Sequence, residues 1–187
     1  MAMDRLLPSQ TLLLVVDVQE RLATAIPAAA VERVVRNTRI LVEAGHRLGV
    51  PIVLTEQYPK GLGATVAAIA DPLRALGVEP IDKLTFDACG EPRVVRAIAE
   101  RSPRAVVVAG VETHVCVFQT ARELVRRGIA AHVVADAVAS RHEDNRAIGL
   151  GLCERAGAVV TATETVVFDW MERAGTDEFR AISKLLR

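Results

Sequence analysis

Short apolar runs rich in β-branched residues alternate along this chain with longer stretches of helical periodicity. Six of these runs predict strands, at residues 11–18, 52–56, 78–83, 105–111, 131–135 and 158–161. Because the runs lack polar alternation, we expect helices to cover both faces of the sheet. The pattern is typical of βαβ units around a parallel sheet, so the sequence predicts one three-layer α/β/α domain over residues 1–187.

Apolar residues at helical spacing predict the helices between these strands. The helices are expected at residues 31–48, 91–101, 113–127, 143–156 and 176–187. The segment 57–71 has no clear period and directly follows a strand, so we interpret it as a candidate ligand-binding loop.

The charge balance gives the chain no general attraction to polyanions. Lys plus Arg equals Asp plus Glu, with 23 of each, so we expect neither nucleic acid nor an anionic membrane as a partner. The first apolar run is too short to cross a membrane, and residues 1–10 show no signal-peptide pattern.

The cysteines and histidines do not form metal-binding patterns. The three cysteines lie far apart and form no CxxC pair; they are Cys89, Cys116 and Cys153. Neither a zinc site nor a disulfide framework is therefore expected, and reduced thiols predict a cytoplasmic setting. The four histidines also lack ligand spacing; they are His46, His114, His132 and His142. We predict no metal and no cofactor.

Three reactive side chains stand at the carboxyl ends of predicted strands. Asp17 follows the first buried run, Lys83 ends the third, and Cys116 lies in the opening turn of the helix after the fourth. Ligands of open α/β sheets bind at this edge. The three residues meet if the first strand is central, as in the Rossmann-like order 3-2-1-4-5-6. With strands about 4.8 Å apart, a lysine stem covers much of the resulting gap of roughly 10 Å.

This combination suits nucleophilic catalysis by a thiol. A helix N-terminus and a nearby cation lower a thiol pKa from about 8.5 by one to several units. Thr113 is a good N-cap, which would place Cys116 in the first helical turn. Asp17 would accept the thiol proton and return one to a leaving amine. Each residue also has an ordinary alternative, since cysteine often packs in cores and Asp with Lys often forms a structural ion pair.

Longer motifs around these residues resemble one family. Leu13-Leu-Val-Val-Asp17-Val-Gln19, Lys83 at the third strand and Gly110-Val-Glu-Thr-His-Val-Cys116-Val are similar to motifs of the isochorismatase-like cysteine hydrolases. That family includes nicotinamidases, carbamoylsarcosine amidases and isochorismatases. Residues 120–128 and 136–141 continue the similarity in the family's order, and residues 55–63 resemble the subgroup called isochorismatase domain-containing proteins.

The resemblance implies a triad of Asp17, Lys83 and Cys116 on six parallel strands flanked by helices. It also implies a non-proline cis peptide at Val111–Glu112, with the backbone N–H groups of Glu112 and Cys116 directed at an oxyanion. The implied reaction is hydrolysis of a small linear amide or related acyl compound through a thioester. The implied assembly is a homo-oligomer, either a dimer or larger.

Departures from the family pattern narrow this expectation. Nicotinamidases bind a metal through an Asp-x-His pair and a second His, and no such pair follows the second strand here, which argues against that activity. True isochorismatases lack the cysteine, so Cys116 argues against vinyl-ether hydrolysis as the main activity.

Four further residues are candidates for the substrate pocket: Gln19, Tyr58, Phe86 and Thr113. A polar residue such as Gln19 is equally often a cap at a strand exit, and the two aromatic residues fit core or interface packing as well. Two other functions stay open: a non-catalytic scaffold or partner-binding protein with a vestigial triad, and a redox-sensing thiol protein.

Overall fold

A computed structural model describes residues 4–186 of the chain. Its strands are β1 Thr11–Val16, β2 Ile52–Gln57, β3 Pro80–Lys83, β4 Ala105–Val111, β5 Ala130–Ala139 and β6 Val159–Thr161. They pair in parallel as one six-stranded sheet in the order β3-β2-β1-β4-β5-β6. The predicted fold class and strand order are therefore confirmed.

Helices connect the strands and cover both faces of the sheet, as expected for crossover connections. They are α1 Glu20–Ala25, α2 Ala28–Arg47, α3 Pro59–Leu62, α4 Ala67–Ala75, α5 Pro92–Arg101, α6 Phe118–Arg126, α7 Glu143–Arg155, α8 Thr163–Met171 and α9 Asp177–Ile182. Within residues 4–186, no helix is long and apolar enough to cross a membrane.

Strand β1 contributes to two separate hydrophobic cores because successive side chains of a strand point to opposite faces. All six of its residues are buried. Leu13 and Val15 pack on one face in a core that also contains buried residues of α2 and α8. Leu12 and Leu14 pack on the other face in a core that also contains buried residues of α5, α6 and α7. The first strand is thus central, which places its carboxyl end in the middle of the sheet edge.

Several predicted element boundaries were wrong. The supposed loop 57–71 contains α3 and part of α4, and its proline and glycine residues hid the helical period. Strand β5 extends to Ala139 instead of ending at residue 135, past a register shift against β4. The last helix ends at Ile182 rather than 187. Helices α1 and α8 were not predicted.

Candidate active site

Asp17 marks the point where β1 stops being extended. Its φ of 52° lies in the left-handed region, which ends the strand and turns the chain at the sheet edge. The side chain is completely buried. Oδ1 accepts a hydrogen bond of 2.7 Å from the Thr55 hydroxyl, whereas Oδ2 accepts no hydrogen bond of good geometry from the described residues. One oxygen of this carboxylate is therefore held by the Thr55 hydroxyl, and the other faces the Lys83 ammonium.

Lys83 ends β3, two strands away from β1, and its stem crosses the end of β2 to reach Asp17. Its Nζ lies 2.6 Å from Asp17 Oδ2, and both side chains are 0% exposed. Three neutral oxygens complete the surroundings of Nζ. They are Gln57 Oε1 at 2.7 Å, Phe86 O at 3.1 Å and Thr85 O at 3.2 Å. An ammonium has three N–H groups, so four surrounding oxygens leave none of them without an acceptor.

Cys116 lies in a five-residue π-helical turn, Thr113–Val117, that joins β4 to α6. The residue is only 5% exposed, so a reagent has little surface to approach. Asp17 and Lys83 both lie close enough for their charges to act on its thiol. The structure thus brings together the sulfur, the carboxylate and the ammonium that the strand-end pattern singled out.

The electrostatics of the thiol differ from the sequence-based expectation. The pKa of Cys116 is raised to about 12, first by burial and then by the Asp17 carboxylate, while Lys83 acts in the opposite direction. The expected helix cap is also wrong, because the Thr113 hydroxyl is buried without a partner among the described residues and the turn is π-helical. Burial and the Asp17 carboxylate therefore both favour the neutral form of the thiol.

The turn that carries Cys116 is held in place from the end of β5. The Glu112 carboxylate accepts a 2.8 Å hydrogen bond from the Arg141 backbone N–H and a 3.1 Å contact from its guanidinium. The Glu112 carbonyl oxygen accepts hydrogen bonds from Val115 and Val117. The peptide bond between Val111 and Glu112 is cis, as the family resemblance implied.

Helix α7 packs directly against the same turn. A Cβ atom built on Gly149 would lie 2.7 Å from the His114 backbone nitrogen and 2.8 Å from the Thr113 carbonyl carbon. His114 Nδ1 also lies 3.0 Å from Ser140 Oγ. The turn therefore has backbone and side-chain contacts on both sides, which leave it little freedom to shift.

The four pocket candidates have different surroundings. Gln19 is completely buried, and its amide contacts backbone groups on both sides, so it holds neighbouring chain segments instead of lining a pocket. Thr113 is also completely buried. Tyr58 and Phe86 are 51% and 54% exposed and adjoin Lys83 through backbone hydrogen bonds. Of the four candidates, only the two aromatic residues therefore present surface to solvent.

Sequence reasoning missed Thr55 and Gln57. Both lie on β2, which runs between the strands that carry Asp17 and Lys83. Being two residues apart, they face the same side of the strand, so each can contact one member of the ion pair. The signal was present in the sequence once the strand order was assumed.

A surface groove of about 470 Å³ lies beside the end of β3. Tyr58, Leu84 and the triad residue Lys83 are among its lining residues, whereas Asp17 and Cys116 are not. Within residues 4–186, no group of three His, Cys, Asp or Glu side chains is arranged to hold a metal ion.

Comparison with known proteins identifies the family. Residues 11–165 match the family model described as Isochorismatase domain. The chain belongs to the isochorismatase family. It is therefore a hydrolase of that family.

Relatives over the whole length support this membership. The secreted isochorismatase effector Isc1 of Phytophthora sojae is 38% identical over 191 residues, which cover 99% of this chain and 88% of the effector. Isochorismatase domain-containing protein 2 of Bos taurus is 34% identical over 187 residues, which cover 100% of this chain and 87% of the bovine protein. The subgroup resemblance inferred from residues 55–63 is thereby confirmed.

Solved structures share the fold. A Caenorhabditis elegans structure named MAR1 ribonuclease superposes with a TM-score of 0.89 at 34% identity and covers 98% of this chain and 92% of that chain. The YcaC gene product of Escherichia coli is described as an octameric hydrolase of unknown specificity. It superposes with a TM-score of 0.89 at 20% identity, and the match covers 99% of this chain and 92% of that chain. At that identity the second likeness concerns the fold alone. Structural relatives of the isochorismatase family thus include an octameric assembly.

Proposed function

We propose that this isochorismatase-family hydrolase cleaves the carbon–nitrogen bond of a small linear amide through a thioester on Cys116. The observation that carries the proposal is the buried convergence of Cys116, Asp17 and Lys83, in which Asp17 Oδ2 has no hydrogen bond of good geometry. A thiol, a base and a fixed cation in one desolvated site are the groups that acyl transfer requires.

In the first half of the reaction, Asp17 takes the proton from the Cys116 thiol as the sulfur attacks the substrate carbonyl carbon. The carbonyl becomes an oxyanion, which the backbone N–H groups of Glu112 and Cys116 stabilise. The carbon–nitrogen bond then breaks, and the amine leaves with the proton from Asp17. The product of this half is a thioester between Cys116 and the acyl group.

In the second half, Asp17 takes a proton from a water molecule as that water attacks the thioester carbonyl. The carbon–sulfur bond breaks, the carboxylic acid leaves, and the sulfur recovers a proton from Asp17. Lys83 stays positively charged throughout and balances the charge on Asp17 and on the sulfur. A raised thiol pKa is compatible with this route because the proton moves to Asp17 during attack and a thiolate need not exist beforehand.

The burial of the triad favours a small substrate. Cys116 is 5% exposed and Lys83 is 2% exposed, so a bulky polymer cannot reach the sulfur without rearrangement. Equal numbers of acidic and basic residues also speak against RNA, although the nematode relative is named a ribonuclease. We further propose a cytoplasmic protein, supported by its three free cysteines, and a homo-oligomer, supported by exposed Tyr58, Leu84 and Phe86.

The deciding experiment compares Cys116→Ala with Cys153→Ala. Cys153 is another fully buried thiol, on α7, and it is not among the groups that act on the Cys116 thiol, so its replacement is a matched control. Both variants and the wild type are incubated with a panel of small primary amides, and ammonia release is measured. Intact mass spectrometry after acid quenching detects the acyl adduct. We expect turnover and adduct in the wild type and in Cys153→Ala, and neither in Cys116→Ala.

Undiminished hydrolysis by Cys116→Ala would reject the mechanism. A wild-type protein that hydrolyses none of the amides and forms no adduct would instead favour the scaffold alternative. Rapid conversion of Cys116 to a sulfenic acid by low doses of peroxide, without any acyl adduct, would favour the redox-sensing alternative.

A further inference from the structure

A buried glutamine links the triad lysine to the loop that follows it. Gln57 is the last residue of β2 and is 7% exposed. Its Oε1 accepts a 2.7 Å hydrogen bond from Lys83 Nζ, and its Nε2 donates one of 2.9 Å to the Leu84 carbonyl oxygen. The amide is therefore held at both ends, with its oxygen toward the ammonium.

A second buried glutamine fixes the backbone of the first. Gln19 Oε1 accepts a 2.7 Å hydrogen bond from the Gln57 backbone N–H, and Gln19 Nε2 donates one of 3.0 Å to the Gln57 carbonyl oxygen. Nε2 also donates to the Gly63 carbonyl oxygen at 2.6 Å. Gln19 thus pairs with Gln57 as a neighbouring strand would, although it lies beyond the end of β1.

The direction of the Gln57 amide follows from these contacts. If the amide were flipped, its NH₂ group would face the Lys83 ammonium and its oxygen would face the Leu84 carbonyl oxygen, so both hydrogen bonds would be lost. Each buried polar group left without a partner would cost about 1–3 kcal/mol. The carbonyl oxygen of Gln57 is consequently a fixed acceptor that limits where Nζ can lie.

We propose that Gln57, held by Gln19, is a positioning residue that keeps the Lys83 ammonium directed toward Asp17 and Cys116. The inference rests on the proposed function, in which Lys83 balances the charge on Asp17 and the sulfur. Without the Gln57 oxygen, the neutral acceptors left for Nζ are the Thr85 and Phe86 carbonyl oxygens, which lie in the following loop. The ammonium would then move toward that loop and away from the sulfur.

The test measures alkylation of Cys116 by iodoacetamide as a function of pH. Asp17 and Lys83 are the charged groups that act on this thiol, so a displaced ammonium changes its ionisation. Gln57→Met keeps the side-chain length without its hydrogen bonds, and Gln57→Asn keeps an amide that is too short to reach Nζ. Gln10→Met is the control, because Gln10 lies at the opposite end of β1. Peptide mapping separates Cys116 from the other two cysteines.

We expect both Gln57 variants to alkylate Cys116 about tenfold more slowly than wild type at about pH 8, as their rate profiles move upward by about one pH unit. Circular dichroism should show a folded protein, and the control should follow the wild type. If Gln57→Met does not fold, Gln57→Asn decides.

A folded Gln57 variant with a wild-type alkylation profile would overturn the inference, because a residue that only packs would leave the thiol unchanged. This readout requires no substrate. A wild-type protein without amidase activity would therefore refute the proposed function and leave the positioning of Lys83 independently measurable.

Discussion

Replacing Lys83 with methionine tests the energetics of the buried ion pair. In Lys83→Met, Asp17 keeps only the Thr55 hydroxyl as a hydrogen-bond donor to its side chain among the described residues, and it remains completely buried. Breaking a buried pair from one side costs about 3–5 kcal/mol, because the remaining charge has no compensation. For a chain of this size, that loss corresponds to a fall in Tm of about 6–20 °C.

The opposite replacement should cost less. In Asp17→Asn, Lys83 Nζ keeps three neutral oxygen acceptors, those of Gln57, Thr85 and Phe86, which is one for each N–H group. We therefore expect a loss of about 1–3 kcal/mol. The asymmetry follows directly from the unequal number of contacts on the two sides of the pair.

Urea unfolding at neutral pH, followed by circular dichroism, measures the loss of unfolding free energy in each single variant and in the double variant. We expect the double variant to lose less than the sum of the single losses by at least about 1 kcal/mol, because the two side chains are in contact. Equal costs for the single variants, or strict additivity, would refute the reasoning. Surface variants such as Arg74→Met, which breaks an exposed pair with Asp71, should change stability by less than about 1 kcal/mol.

Further predictions concern three glycines and one thiol. In α7, the added Cβ of Gly151→Ala meets no atom within 4 Å, so this variant should stabilise the protein by up to about 1 kcal/mol. Gly149→Ala should instead destabilise the protein and slow alkylation of Cys116. Thermal unfolding measures the stability of each variant, and mass spectrometry measures the alkylation. Gly110→Ala would place a Cβ 2.0 Å from a backbone oxygen at a φ of +127°, so expression should yield little folded protein by circular dichroism. Burial raises the pKa of Cys153 to about 11, so this thiol ionises at lower pH in the unfolded chain than in the folded protein. The free energy of unfolding should therefore fall as pH rises from about 9 to 11. Urea titrations should show a smaller fall for Cys153→Ala.

The sheet could be predicted because buried parallel strands leave a strong signal. Runs such as the one in β1 are apolar at every position, and only a two-sided core explains that pattern. Strand β5 was predicted too short because the polar Asp136 lies inside it. Its carboxylate accepts hydrogen bonds from the Thr163 backbone and hydroxyl at the start of α8, a tertiary contact that no local pattern reveals.

Helix α8 was missed although its signal was present. Val166, Val167, Trp170 and Met171 are buried and recur at i, i+1, i+4 and i+5, which is helical spacing. Helices α1 and α3 have six and four residues, too few for a period to be recognised. Short helices of this kind form because the surrounding fold fixes their ends, since isolated helices of that length are marginal in water.

The triad residues could be inferred because chemistry and strand position coincide in the sequence. The supporting residues required one further step, since the contact of Gln57 with Lys83 follows only once β2 is placed between β1 and β3. The π-helical turn was unpredictable, because Thr113 is followed by residues that suit an ordinary first helical turn. Its geometry depends on contacts from α7 and from the end of β5 that lie about 30 residues away in sequence.

The state of the thiol bears on the choice between hydrolysis and redox sensing. Sensor cysteines combine a low pKa with exposure, since peroxide reacts with an accessible thiolate. Cys116 has the opposite pair of properties, with a pKa raised to about 12 and an exposure of 5%. In the proposed mechanism, such a thiol reacts only when an electrophilic carbon arrives, because its proton moves to Asp17 as the sulfur attacks. The same burial that makes the resting sulfur inert therefore favours a nucleophile that substrate binding switches on.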